Sequence, residues 1–185
     1  MTSLEVARRV LERVEEGAYA TLTLSGEIER ARLPAVARAL CTELVYGTLR
    51  LQPRLDRALA AYAPRGLHRL DAPTRTLLRL GAYQLLFMRT PAHAAVNQTV
   101  ELLTRLRGRG LGGFANALLR KLDRAGEPPL PPLLPLSAAA SAGERAAYAE
   151  ALAVRCALPG FLVRDALRRF APQEAEEFLQ SLGTP

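Results

Sequence analysis

The segment Asp71-Ala72-Pro73-Thr74-Arg75-Thr76-Leu77-Leu78-Arg79-Leu80-Gly81-Ala82-Tyr83-Gln84-Leu85-Leu86 reads as one strongly apolar helix capped by Asp71. Leu77, Leu78, Leu80, Leu85 and Leu86 supply its apolar surface. Gly81 in its middle costs up to about 1 kcal/mol relative to Ala, and is tolerable where a second helix crosses closely. The segment therefore predicts a helix that another helix crosses closely at Gly81, and helical periodicity continues on both sides.

Upstream, Thr2 and Glu5 form a capping-box pair at the start of a first helix with the stripe Val6, Ala7, Val10, Leu11 and Val14; Gly17 ends it. Residues 19–24 alternate like a strand, but one such segment cannot make a sheet, so an irregular connection or short helix is expected. A second helix runs from about Pro34 to Leu51 with Val36, Leu40, Leu44 and Val45 on its stripe, and Pro53 opens a third with Leu55, Leu59 and Tyr62 inward. Pro64 and Gly66 interrupt the chain before Asp71.

Downstream, Pro91 begins a fifth helix with Val96, Val100 and Leu103. Arg107 to Gly113 reads as a Gly/Arg loop, followed by a sixth helix with Phe114, Leu118 and Leu122 on one face. Pro128 to Pro135 holds five prolines and predicts an extended linker. Ser137–Cys156, Pro159–Phe170 and Gln173–Leu182 read as three shorter helices. The expected architecture is all-α: a compact helical bundle over 1–125, a Pro-rich linker over 126–136 and a small helical segment over 137–185.

The 24 arginines and one lysine give a net charge of +7 over 185 residues. The excess is uneven: residues 50–124 hold 14 basic and 4 acidic side chains, whereas residues 126–185 hold 5 and 7. A domain this basic suits a polyanion, and arginine's planar fork suits phosphate. No apolar run reaches the roughly 18–20 residues of a membrane span, and Glu5, Arg8 and Arg9 exclude a signal peptide at the N-terminus. Cys41 and Cys156 sit in apolar helical patterns and read as buried thiols, and with only His68 and His93 besides no metal site assembles. The expected compartment is the reducing cytoplasm.

Gly108-Arg109-Gly110-Leu111-Gly112-Gly113 does not make a nucleotide loop, because a helix rather than a strand precedes it and Gly-Lys-Ser/Thr is absent. Arg105, Arg107 and Arg109 beside a helix start can instead hold phosphate oxygens, with Arg50, Arg120 and Lys121 as further candidate RNA contacts. Adjacent carboxylates such as Glu15/Glu16 and Glu176/Glu177 diverge on a helix. His93 reads as a first-turn polar residue, and Asn97 as a hydrogen bonder between helices. No catalytic group and no cofactor site is expected.

Four motifs follow in order: Tyr46-Gly47-Thr48-Leu49-Arg50; Leu80-Gly81-Ala82-Tyr83-Gln84-Leu85-Leu86; Pro91-Ala92-His93-Ala94-Ala95-Val96-Asn97; and Gly113-Phe114-Ala115-Asn116-Ala117-Leu118-Leu119-Arg120. The series resembles the NusB-type RNA-binding domain, and most of all the version at the N-terminus of 16S ribosomal RNA cytosine-C5 methyltransferases (the RsmB, or Sun, family). Gly47, Gly81, Asn97, Phe114 and Asn116 would be its structural motif residues. Leu158-Pro159-Gly160-Phe161-Leu162-Val163 resembles the segment between that family's NusB-like and catalytic domains, with Phe161 where Trp is usual.

The resemblance implies ribosomal RNA as partner, with a methyltransferase domain in cis or a transcription or ribosomal protein beside it. That family's chemistry uses S-adenosylmethionine and a cysteine following proline. Here Leu40 precedes Cys41 and Arg155 precedes Cys156, so the expectation is an RNA-binding accessory domain without the catalytic half. A free-standing antitermination or regulatory factor and a protein-interaction scaffold are the alternatives. Residues 126–185 argue against the former, because such factors end soon after the last motif.

Overall fold

The computed structural model describes residues 1–137 and 139–183, and every regular element among them is helical. The chain forms two compact units: Met1–Leu49 with Ala58–Glu127, and Arg50–Arg57 with Pro128–Pro185.

The first unit opens with α1 (Ser3–Glu15), held at its start by the Thr2–Glu5 capping box, and Gly17 takes φ +101° after its end. α2 (Ala20–Ala31) occupies the stretch whose first residues alternate like a strand. Its buried residues Thr23, Leu24 and Glu27 follow helical spacing, so the 3.6-residue period overrides the local alternation. α3 (Ala35–Arg50) buries Cys41, Leu44, Val45, Gly47 and Thr48. Val36 and Leu40, expected on its inner stripe, are exposed at 84% and 41%. The inner face of α3 is instead built from its second half. The Ser3 hydroxyl, donating to the Ala37 carbonyl at 2.9 Å, ties α3 to α1.

α4 (Gln52–Ala60) buries Leu55 and Leu59. Tyr62 lies beyond its end and is half-buried. A single 3-10 turn (Leu67–Arg69) then leads into α5 (Ala72–Phe87). α5 is the centre of the unit: Leu77, Leu78, Leu80 and Ala82 are fully buried, and the helix packs on α1, α6 (Ala92–Arg107) and α7 (Arg109–Ala125). A Cβ on Gly81 would stand 2.9 Å from Leu119 Cδ1 and 3.0 Å from Thr99 Oγ1. The close crossing expected at Gly81 is therefore made by α6 and α7 together.

The second unit contains α8 (Ala142–Cys156), α9 (Gly160–Arg169) and α10 (Pro172–Gly183). Leu152, Val163, Ala175 and Leu179 are its most deeply buried residues. Pro128–Pro135 is extended, as prolines dictate, but it does more than connect. Leu133 and Leu136 pack against the second unit's core, Arg155 Nη1 donates to the Pro131 carbonyl at 3.2 Å, and Arg57 Nη1 donates to that of Pro129 at 2.6 Å. The segment is a strap rather than a free linker.

Candidate nucleic-acid interface

Gly108 alone joins α6 to α7, at φ +88° and ψ 170°, a region open to glycine but strained for other residues. The Gly/Arg loop expected over Arg107–Gly113 is therefore absent: Arg107 is the last residue of α6, Arg109 the first of α7, and Gly110, Gly112 and Gly113 are helical. Gly112 is small for a reason, since a Cβ there would collide with the Thr104 hydroxyl on α6. The glycines bring two helices together and do not loosen a loop.

The joint brings several chain ends to one place. Arg105 on the last turn of α6 pairs with Glu5 in the first turn of α1. Arg107 Nε donates to Asp71 Oδ2 at 2.6 Å, and Asp71 is the N-cap residue of α5. The C-terminus of α6 thus lies beside the N-termini of α1, α5 and α7, whose dipoles each present partial positive charge. Neither α5 nor α7 has a side-chain cap. Arg109 is exposed at the start of α7, and Arg69 is exposed two residues before Asp71. The result is a basic end face with unfilled backbone donors, suited to anionic oxygens.

Two of its arginines are held by carboxylates in the free protein. Both pairs are substantially exposed, and such pairs contribute about 0–1 kcal/mol each, so a phosphate can compete for either guanidinium. The carboxyls respond in kind. The Thr2 backbone N–H, donating to Glu5 at 2.6 Å, holds Glu5 below its usual range; burial opposes this, and the Arg105 charge adds to the lowering. Burial also opposes the charge on Asp71, but polar neighbours, Arg107 among them, outweigh it and lower that carboxyl.

The remaining candidates lie elsewhere. Arg120 and Lys121 are exposed on α7, about 16 Å along the helix from Arg109 at 1.5 Å per residue. Arg120 Nε donates to Asn116 Oδ1 at 2.9 Å, so Asn116 orients an arginine on its own helix. Arg50 is exposed at the end of α3 and belongs to the second unit. Phe114 is half-buried, while Asn97 is exposed rather than enclosed between helices. The inward place on that turn of α6 goes to Thr99, which is fully buried and donates to the Ala95 carbonyl at 2.8 Å. Sequence reasoning missed Glu5 and Asp71 as the arginines' partners, because 100 and 36 residues separate the pairs. It also missed Arg69, which carries no motif.

Cys41 and Cys156 are buried, and burial pushes the Cys41 thiol up to about 11. That is the reverse of the lowered value that activates a thiol nucleophile. Among the described residues no group of three or more His, Cys, Asp or Glu is placed to hold a metal ion, and no single helix is long and apolar enough to cross a membrane.

The sequence model of the NusB family matches residues 1–124, about the extent of the first unit with the joint inside it. The chain belongs to the NusB family. It is 37% identical over 121 residues to ribosomal RNA small subunit methyltransferase B of Pseudomonas putida, a match covering 65% of this chain and 28% of that protein. Against the enzyme of the same name from Vibrio cholerae it is 44% identical over 86 residues, covering 46% and 20%. The match thus takes in less than a third of either relative's length.

Among solved structures, the antitermination factors NusB and NusE in complex with dsRNA give a TM-score of 0.62 at 21% identity, covering 66% of this chain and 94% of the matched one. The structure of PH0851 gives 0.72 at 14% identity and covers 99% of this chain but 38% of its own. The first likeness is to the NusB fold alone, while the second extends through the helices of the second unit.

Proposed function

We propose that this chain is an RNA-binding accessory domain that contacts ribosomal RNA on behalf of a 16S rRNA cytosine-C5 methyltransferase. The observation that carries the reading is the end face at Gly108, where Arg105, Arg107 and Arg109 stand among three helix N-termini. Arginine–phosphate contacts there would supply affinity and orientation, with Arg50, Arg120 and Lys121 as additional contacts and base chemistry left to a catalytic domain in cis. Kinship supports the ribosomal substrate, since the relatives at 37–44% identity are small-subunit rRNA methyltransferases. Such a role places the protein in the cytoplasm and needs no cofactor on this part of the chain.

The test is a titration of labelled 16S rRNA fragments at several salt concentrations. Affinity should fall with a log–log slope of about −0.7 per neutralised phosphate on single strands. Replacing Arg105, Arg107 and Arg109 together by Ala should weaken binding and flatten the slope by about 2. Salt-independent binding, or a triple variant indistinguishable from the parent, would remove the reading in favour of a protein-interaction scaffold. A second reading, an antitermination or regulatory factor working with a protein partner, draws on the fold shared with NusB in its complex with NusE and dsRNA. Preference for an antitermination RNA over 16S fragments would favour it.

A further inference from the structure

We infer that α9 carries a second RNA contact, a strip of Phe161, Arg164 and Arg168 that takes a single-stranded segment by base stacking and phosphate pairing. The inference rests on the RNA-binding reading above but concerns a different unit of the chain. Phe161, Arg164 and Arg168 are spaced i, i+3 and i+7, which places them on one face of the helix. All three are exposed, Phe161 at 66%.

Among the described residues, no carboxylate pairs with Arg164 or Arg168. Residues 126–185 hold more acidic than basic side chains, yet α9 holds three arginines and one aspartate. That aspartate, Asp165, is engaged by Arg169 Nε at 2.9 Å. Arg164 and Arg168 are left one turn apart, a like-charged pair of the kind that weakens a helix. Arg168 Nε donates to the Arg164 carbonyl at 3.3 Å rather than to a carboxylate. The Arg164 guanidinium folds back over the first turn, and its Nη1 stands 3.1 Å from where a Cβ on Gly160 would be. Gly160 therefore gives a cation room beside the helix start.

That start is itself open. Pro159, at the N-cap position, has no side-chain acceptor to offer, and the Leu162 and Val163 amides both turn to its carbonyl. The Gly160 and Phe161 amides precede the helical ladder and have no partner within it. An exposed ring, two uncompensated guanidinium groups one turn apart and open amides reproduce the parts of a single-strand platform, on which a base stacks and the neighbouring phosphates pair with arginine. Stacking on a phenyl face does not read the base, so the strip would accept a single strand of any sequence.

The chain contains no tryptophan, so Phe161→Trp installs a single indole, excited selectively over the tyrosines, that keeps the stacking surface. We expect its emission to be quenched when an unlabelled mixed-sequence 12-nucleotide RNA is added to the full chain. With the same RNA labelled, anisotropy should show Phe161→Ala weakening binding about five-fold or more. Arg164→Gln with Arg168→Gln should flatten the salt slope by about 1.4. Circular dichroism confirms that each variant folds, and the Trp and Gln variants carry the test if the Ala variant does not.

Suppose RNA is bound, the Arg105, Arg107 and Arg109 triple variant weakens it, and the α9 variants change neither affinity, slope nor emission. The strip then serves another occupant, such as a protein surface, and this inference is overturned while the RNA-binding reading stands. Absence of binding by the parent chain at low salt would overturn both.

Discussion

Tyr83 is 2% exposed, yet its hydroxyl leaves α5 to donate to the Glu43 carboxylate on α3. The ring passes over Gly47, where a Cβ would fall inside the phenol. Two of the sequence motifs, Tyr46-Gly47-Thr48 and Gly81-Ala82-Tyr83, are thus halves of one contact. Gly81 is legible in the sequence as an oddity inside a helix, and Gly47 only as a motif residue of the resemblance. Their partners are not, since nothing local tells Gly47 that a ring arrives from 36 residues away. Gly47→Ala should lower stability by about 1–3 kcal/mol, because its Cβ would overlap the buried Tyr83 ring. A urea midpoint equal to the parent's would show that Tyr83 can move aside.

On α7, adjacent glycines should behave oppositely. Gly112 faces Thr104 and has no space for a Cβ, whereas nothing lies within 4 Å of the corresponding position at Gly113. Gly113→Ala should therefore stabilise the protein by up to about 1 kcal/mol, the helix-propensity difference, while Gly112→Ala should destabilise it. Thermal unfolding of the two single variants reads the sign directly, and a shared sign would refute the packing account. The same helix shows where composition misleads. Four glycines in six residues look like a loop, but only Gly108 has a positive φ, and the other three sit within α7. Caps and apolar stripes were legible because they are local: Thr2 pairs with Glu5, and Val6, Ala7, Val10 and Leu11 are buried on α1 as the spacing predicts, with Val14 at the stripe's end only half-buried. The exposure of Val36 and Leu40 was not, because an apolar stripe does not say whether anything covers it.

At the scale of the molecule, stability should be bounded by titrations on both sides of neutrality. Glu5, Asp71 and Glu144 are all lowered: Glu5 chiefly by the Thr2 backbone, Asp71 by neighbours that outweigh its burial, and Glu144 chiefly by the Ser141 hydroxyl. Groups lowered on folding stabilise above their unfolded values, about 3.9 for Asp and 4.3 for Glu, and that contribution is lost as pH falls through the lower folded values. Cys41 is raised from 9.0 to about 11 by burial, so its contribution is present below about 9 and lost as pH rises towards 11. Urea midpoints should be flat from pH 5 to 8 and fall on either side, with Cys41→Ser or Cys41→Ala removing the alkaline arm specific to this thiol. An unchanged alkaline limb in a folded Cys41 variant would assign it elsewhere. The net positive charge was legible from composition, but which arginines meet was not: Arg105 and Arg107 reach acids on other helices, and only the fold decides that.

The strap from Pro128 to Pro135 has a consequence for how such a protein can be cut and reassembled. Its composition invites a genetic boundary, as if the last helices were a cassette. Yet the second unit includes Arg50–Arg57, and Arg57 is hydrogen-bonded to Pro129 across 72 residues of sequence. A cassette opening at the prolines leaves behind part of its own structure, encoded far upstream. Transplanting these helices would have to carry the Arg50–Arg57 segment along.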